Sequence, residues 1–383
     1  MQRLVLLWMC AVLGACATPR APPTAPEPFF QDELFAAPAE RIGPGDVFAL
    51  SEPMQRFLQV DIARQLRADG PVRGLFNALE RSDGLKLDYD SAVTRNAAQA
   101  FEARKGNCLA LVIMTAAFAK ELHLQVIYQT LATEETWGRS DDLVFLNTHV
   151  NLKIGQRMNF MPGFYPTRMM TIDFLPGEDV VSRSTREVSE DAIVAMYMNN
   201  RAAEALARRQ IDEAYWWARG AIVQAPDFPG PYNTLGVVYL RHGDLAAAEG
   251  VLRHLLLRNP RDKQALSNLS IALDRLGRAE ESSALRARLA QLEPYPPYHF
   301  FRLGTAAMQR GDFKAARSLF EKEVDRADYC SEFHFWLGLA KFQLGDLEGA
   351  RKQFAIALEN STTTTDHALY AAKLERLRSY AAH

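Results

Sequence analysis

The chain has 383 residues, 48% hydrophobic and 23% charged, with a formal net charge of −2 and four cysteines. That length exceeds one ordinary domain, and the composition can fill sizeable cores. Near-neutral charge without a long Lys/Arg tract excludes an electrostatic nucleic-acid footprint, so no nucleic-acid partner is expected.

Arg3 and the apolar run Leu4–Leu13 have the dimensions of a signal-peptide core, too short to cross a bilayer as an ordinary helix. The run ends in Leu13-Gly14-Ala15-Cys16, which resembles the lipobox of bacterial lipoproteins. The resemblance implies that 1–16 is a lipoprotein signal peptide, that Cys16 is acylated, and that the membrane is met through this lipid anchor. Plain secretion with an incidental cysteine is the alternative. Ala17 after the cysteine, rather than Asp, points to an outer-membrane lipoprotein of the bacterial envelope facing the periplasm. Residues 17–40 follow as a tether whose Pro19, Pro22, Pro23, Pro26 and Pro28 suit an extended chain. With Cys16 acylated, Cys108 and Cys330 could pair only by joining the two halves of the chain. No disulfide framework and no zinc-type Cys/His spacing is visible, so no metal is expected.

Between 41 and 190 the pattern is mixed. Helices are expected over 51–67 and 71–81, each stopped by an Asp-Gly pair, and a short alternating strand over 85–90. Arg104-Lys105-Gly106-Asn107-Cys108 ends a loop where the apolar stretch 108–122 reads as a buried helix. Gly106 permits a tight approach, Asn107 is a favoured N-cap, and Cys108 falls in the first turn, where unpaired amides lower a thiol's pKa. Strands follow over 124–131, 143–154 and 169–175, an α+β arrangement.

A thiolate nucleophile needs a base. His123 lies fifteen positions along the same helix, about 22 Å from Cys108, and is excluded. His149 sits in a strand able to face the helix start. Asp173 is a carboxylate in an otherwise apolar strand and needs a partner, since burying it alone costs several kcal/mol. Nucleophile, base and orienting acid make a triad known by roles rather than by position. Cysteine at a helix start, then His and Asp on successive strands, resembles the transglutaminase-like superfamily, a branch of the papain-like folds. The resemblance covers about 101–176 within a domain of about 41–190. It implies Cys108 as nucleophile, His149 as general base and Asp173 as the residue orienting His149. The backbone amide of Cys108 is the expected oxyanion donor, with Gln129 as side-chain candidate and no aromatic identified for that role. Asn107 supports the nucleophile, and Arg104 steadies the loop or meets a substrate carboxylate. No organic cofactor is implied, and no acidic calcium loop is recognisable.

The second half has a period. Pro226, Pro260 and Pro294 are spaced by 34 residues, as are Gly236, Ser270, Gly304 and Gly338. Leu235, Leu269, Leu303 and Leu337 keep the same register, and His-Gly-Asp, Arg-Gly-Asp and Leu-Gly-Asp at 242–244, 310–312 and 344–346 mark turns. This resembles an all-α solenoid of about five tetratricopeptide repeats over 196–361, with 362–383 as a capping helix. The resemblance implies a concave face for a protein partner. Tyr298, Phe301, Phe335 and Phe342 are candidates to line it, with ordinary inter-repeat packing as the alternative.

The chain therefore reads as an envelope-anchored cysteine enzyme acting on amide bonds of a protein or peptide, by hydrolysis or acyl transfer, with repeats that recruit the substrate or a partner. A scaffold whose first domain only binds is the competing expectation.

Overall fold

The computed structural model describes residues 29–38, 43–80, 85–140, 143–156, 169–174 and 185–381. The expected signal peptide, Cys16 and most of the expected tether lie outside the described residues.

The N-terminal part begins with α1 (Glu52–Arg56), a π-helical turn (Phe57–Asp61), α2 (Ala63–Asp69) and α3 (Pro71–Glu80). The helix expected over 51–67 is thus broken into three pieces. A two-residue strand β1 (Asp88–Tyr89) pairs in parallel with β2 (Lys105–Gly106), and α4 (Ala97–Ala103) lies between them. Next come α5 (Cys108–Glu121), β3 (Leu124–Ser140), β4 (Leu143–Gln156), β5 (Met170–Ile172) and β6 (Thr185–Val188). The last four form an antiparallel sheet in the order β5-β4-β3-β6. Every residue of α5 from Leu109 to Ala119 is buried, which accounts for a helix apolar on all sides.

The rest is helical: α6 (Glu190–Ala207), α7 (Ile211–Gln224), α8 (Gly230–His242), α9 (Leu245–Arg258), α10 (Lys263–Arg275), α11 (Ala279–Leu292), α12 (His299–Gln309), α13 (Phe313–Arg326), α14 (Ser331–Gln343), α15 (Leu347–Glu359) and α16 (Thr364–Ala381). Helices α6 to α15 make five antiparallel pairs, and α16 packs on the last. At the small-residue position of α12 a Cβ on Gly304 would stand 2.6 Å from the Phe320 ring on α13. A methyl cannot fit there, so the two helices touch through that glycine. The turns inside the last four pairs place Gly243, Gly277, Gly311 and Gly345 at positive φ, where L-residues are strained, whereas the first pair has Arg209 at φ 61°.

Two features differ from the sequence reading. The array starts at Glu190 rather than 196, capped by the Ser189 hydroxyl on the Ala192 amide. No spacer separates the halves: one continuous apolar core runs from Leu75 and Phe118 through Ile193 and Ala202 to Leu269. In addition, residues 29–36, inside the expected tether, are docked on the first two repeats. Phe35 stacks on Tyr215 with ring centroids 3.9 Å apart. Asp32 accepts from the Tyr215 hydroxyl (2.6 Å) and from Arg219 (2.8 Å), and Tyr239 donates to the Phe29 carbonyl (2.6 Å). No helix among the described residues is long and apolar enough to cross a membrane.

Candidate active site

Cys108 owes its place to how α4 ends and α5 begins. Helix α4 opens with an Asn96–Gln99 capping box and stops at Arg104, which adopts the left-handed conformation (φ 51°). Two strand residues later the Asn107 side chain accepts the Ala110 amide at 2.9 Å. That cap uses one orphan donor of the first turn and leaves Cys108 at the positive end of a fourteen-residue helix. The thiol is half-buried.

His149 and Asn151 alternate along β4 and so share one face of the sheet. Pairing of Leu152 with Ile172 brings Asp173, one residue beyond β5, against that face. His149 Nε2 lies 2.7 and 2.9 Å from the two Asp173 carboxylate oxygens, and Asn151 Nδ2 donates to Oδ2 at 2.8 Å. With Nε2 taken, Nδ1 is the ring nitrogen available to Cys108. Burial opposes a charged imidazole here, yet hydrogen bonds and charge from Asp173 and Cys108 outweigh it and raise His149 from 6.5 to about 10. The thiol answers in the opposite sense. Burial works against the thiolate, but the His149 hydrogen bond and charge, with the amides of Val150 and Leu109, bring Cys108 below its ordinary value. The favoured state is a thiolate–imidazolium pair.

Tyr89 is the residue that sequence reasoning missed. Its pairing with Gly106 sets it beside Cys108, whose thiolate and backbone amide both act on the phenol; burial, then that thiolate, raise its pKa and keep it protonated. The oxygen of a carbonyl attacked by Cys108 would develop its charge beside that amide, within reach of the phenol. The only trace in the sequence is a tyrosine in a short alternating run. Asn151 was missed as well, although it stands two residues from His149 on the same strand face.

The other predicted residues fall elsewhere. Gln129 is buried on β3, but its amide donates to the Thr185 hydroxyl at 2.9 Å, so it serves the β3–β6 pairing rather than an oxyanion. Arg104 is exposed and borders a cavity of about 410 Å3 with Phe57, Gln65 and Asn77, a cavity that no triad residue lines. Tyr298 (4% exposed) and Phe301 (3%) are buried against Phe333, and Phe335 packs on Phe354 and Tyr370. Tyr298 and Phe301 are therefore inter-repeat packing, Phe335 is half-buried between its repeat and α16, and Phe342 is exposed. Burial pushes the Cys330 thiol up to about 12, the opposite direction from Cys108. No cluster able to hold a metal occurs among the described residues.

Taken together these elements define a repeat protein carrying an α+β domain at its N-terminal end. Residues 233–296 and 301–363 match the tetratricopeptide repeat family: the C-terminal region is a tetratricopeptide-repeat array. The match covers less than half of the chain and does not reach residues 41–190. No curated protein matches the chain. Among solved structures it is similar to TTC0263, a thermophilic repeat protein of Thermus thermophilus, at 20% identity over 47% of this chain and 98% of that one, TM-score 0.29. YrrB, a repeat protein with an unusual peptide-binding site, shares 17% identity over 47% and 92%, TM-score 0.25. MamA shares 18% over 43% and 91%, TM-score 0.25.

Proposed function

We propose that the chain is a transglutaminase-like cysteine enzyme that cleaves or transfers the acyl group of an amide in a protein or peptide, held at a bacterial envelope by acylated Cys16. The observation that carries the reading is His149 bonded to Asp173 at 2.7 Å and facing Cys108, with hydrogen bonds and then charge from both raising it to about 10. Neither a buried thiol nor a buried histidine needs such an arrangement for packing alone.

The chemistry follows from the pair. The Cys108 thiolate adds to the amide carbon, and the new oxyanion is met by the Cys108 amide and the Tyr89 hydroxyl. Collapse breaks the C–N bond as His149 gives its proton to the leaving amine, producing a thioester. Water, or an amine in a transfer reaction, then attacks the thioester while neutral His149 takes its proton. The acid or new amide leaves, and thiolate and imidazolium are restored. Asp173, fixed by Asn151, keeps the ring oriented and stabilises its charge.

The repeats fit a role in bringing a protein or peptide near this site. The test is the pH dependence of Cys108 alkylation in protein starting at residue 17 with Cys16→Ala, alongside His149→Ala. A thiolate that forms below about 8.5 and is lost in the histidine variant supports the enzyme. A thiol indifferent to His149 turns the reading to the second one, a binding scaffold, which draws on the matched repeats alone and expects Cys108→Ala to behave as wild type.

A further inference from the structure

The loop that follows Tyr89 is held by the repeat array at both of its ends. At one end Thr94, 2% exposed, is fastened to the first repeat helix: its amide donates to Glu204 at 2.7 Å and its hydroxyl accepts from Asn200 at 3.2 Å. The same hydroxyl accepts from Asn107 at 2.9 Å, the residue capping the Cys108 helix. At the other end Ser91 meets the far end of the array, just before α16. Its amide donates to the Thr362 carbonyl at 2.9 Å, and its hydroxyl reaches that carbonyl at 3.2 Å and the Thr362 hydroxyl at 2.9 Å. Asp90, between Tyr89 and Ser91, is tied down by Arg95 and Lys105. The chain thus leaves the N-terminal part at α6, passes through five repeats and returns to the loop it started from.

We propose that the loop Asp90–Thr94 couples the repeat array to the acylation step at Cys108, with Thr94 as its fixed end and the Ser91–Thr362 junction as a clasp that partner binding can open. This rests on the oxyanion role given to Tyr89 and adds its regulation. The two ends differ as a hinge and a clasp must. Thr94 is buried among three hydrogen-bonding side chains, whereas the Ser91–Thr362 bonds are solvent-exposed. A solenoid flexes by small rotations summed over its repeats, so a partner that changes its curvature loads the exposed junction first. Opening it leaves Tyr89 supported on one side only, by Asp90 and the pairing with Gly106, while His149, Asp173 and the Val150 amide lie on the sheet side, away from the junction. The closed clasp is the competent state. Opening it slows attack on a carbonyl and spares the thiolate.

Two reagents separate those effects. p-Nitrophenyl acetate acylates a thiolate through an oxyanion: the S–C bond forms, the negative charge moves to oxygen, and p-nitrophenolate leaves with no proton transferred. Iodoacetamide alkylates the same thiolate by displacing iodide, with no oxyanion. The ratio of the two rate constants in the full chain therefore reads oxyanion support apart from thiol pKa. Tyr89→Phe sets the scale, with an expected fall in the ratio of roughly 100-fold, typical for loss of one oxyanion donor. The double variant Ser91→Glu/Thr362→Glu opens the clasp by like-charge repulsion and should lower the ratio at least about tenfold, a partial loss of that donor. Ser91→Glu/Thr362→Lys, which carries the same glutamate but closes the junction with an ion pair, should restore it. If both double variants keep the wild-type ratio while Tyr89→Phe lowers it, the clasp is overturned and the oxyanion reading stands. If Tyr89→Phe itself leaves the ratio unchanged, the oxyanion reading falls, and the clasp with it.

Discussion

Replacing Asp173 by Asn keeps a hydrogen-bonding side chain and removes one charge. In the intact site the imidazole rises from 6.5 to about 10, which at ~1.36 kcal/mol per pH unit is about 5 kcal/mol of preference for the imidazolium. After burial, which opposes the charge, Asp173 comes first among the groups acting on His149 and Cys108 second. Asn turns a charge-assisted hydrogen bond into a neutral one and removes the carboxylate charge, which should together cost the imidazolium on the order of 1–2 kcal/mol, or roughly one pH unit. The thiolate loses its counter-ion to the same degree, because the two sites titrate as a pair. The assay is the rate of Cys108 alkylation by iodoacetamide across the pH range. Its midpoint should move up by about a unit, and the rate below the wild-type midpoint should fall roughly tenfold. The denaturation midpoint should also drop, since Asn151 still donates to position 173 but the His149 charge has lost its partner. A profile superimposable on wild type would refute the account of the ion pair, whatever happened to stability.

The pair also shapes stability against pH. His149, raised in the folded chain, stabilises it fully below 6.5 and loses that contribution as pH climbs through about 10. Cys108, lowered, contributes above 9.0 and loses it as pH falls through its folded value. Just below 9.0 the two trends oppose each other, so wild type minus a Cys108→Ala/His149→Ala double variant, measured by denaturant midpoint, should be level there and decline as pH climbs from 9.0 through about 10; a difference that rises across that alkaline range would contradict the pairing. Gly304→Ala should lower the melting temperature by an amount equivalent to about 1–3 kcal/mol, because the added methyl meets the Phe320 ring at 2.6 Å; an unchanged melting point would mean that α12 and α13 separate freely. The core continuous from Phe118 to Leu269 predicts that slow-exchanging amides of α5 and α8 share one opening free energy in native-state hydrogen exchange. Separate openings would show two independent units.

What was legible in the sequence is what depends on neighbours along the chain. Gly106-Asn107-Cys108 announces a capped helix start through local hydrogen bonding, and the repeats announce themselves because each must present the same small residue to its partner helix. Even there the first repeat was placed late, since Arg209 stands where the others have glycine and Asn200-Arg201-Ala202 replaces the leucine–glycine mark. Tyr89 was hidden for a different reason. Its value comes from a two-residue parallel pairing between segments seventeen positions apart, too short to leave any alternation of polar and apolar residues. Tyr298 and Phe301 misled because an aromatic at a variable repeat position reads the same whether the next helix covers it or solvent does; here Phe333 covers both. Phe35, in a proline-flanked stretch without period, becomes core only through Tyr215 and Tyr239, nearly two hundred residues downstream.

The return of the chain from Thr362 to Ser91 carries a consequence for how the protein comes into being. Synthesis is vectorial, so Cys108, His149 and Asp173 all emerge long before the residues that close the loop beside them. Asn200 and Glu204 arrive next, and Thr362 arrives only when all but the last helix has been made. A chain that has reached α10 but not Thr362 therefore has the core around Cys108 in place and the loop beside Tyr89 still open at Ser91. On the reading proposed above, completion of the site would wait for the last repeat, and a fragment ending before Thr362 would keep the thiol but lack the closure at Ser91.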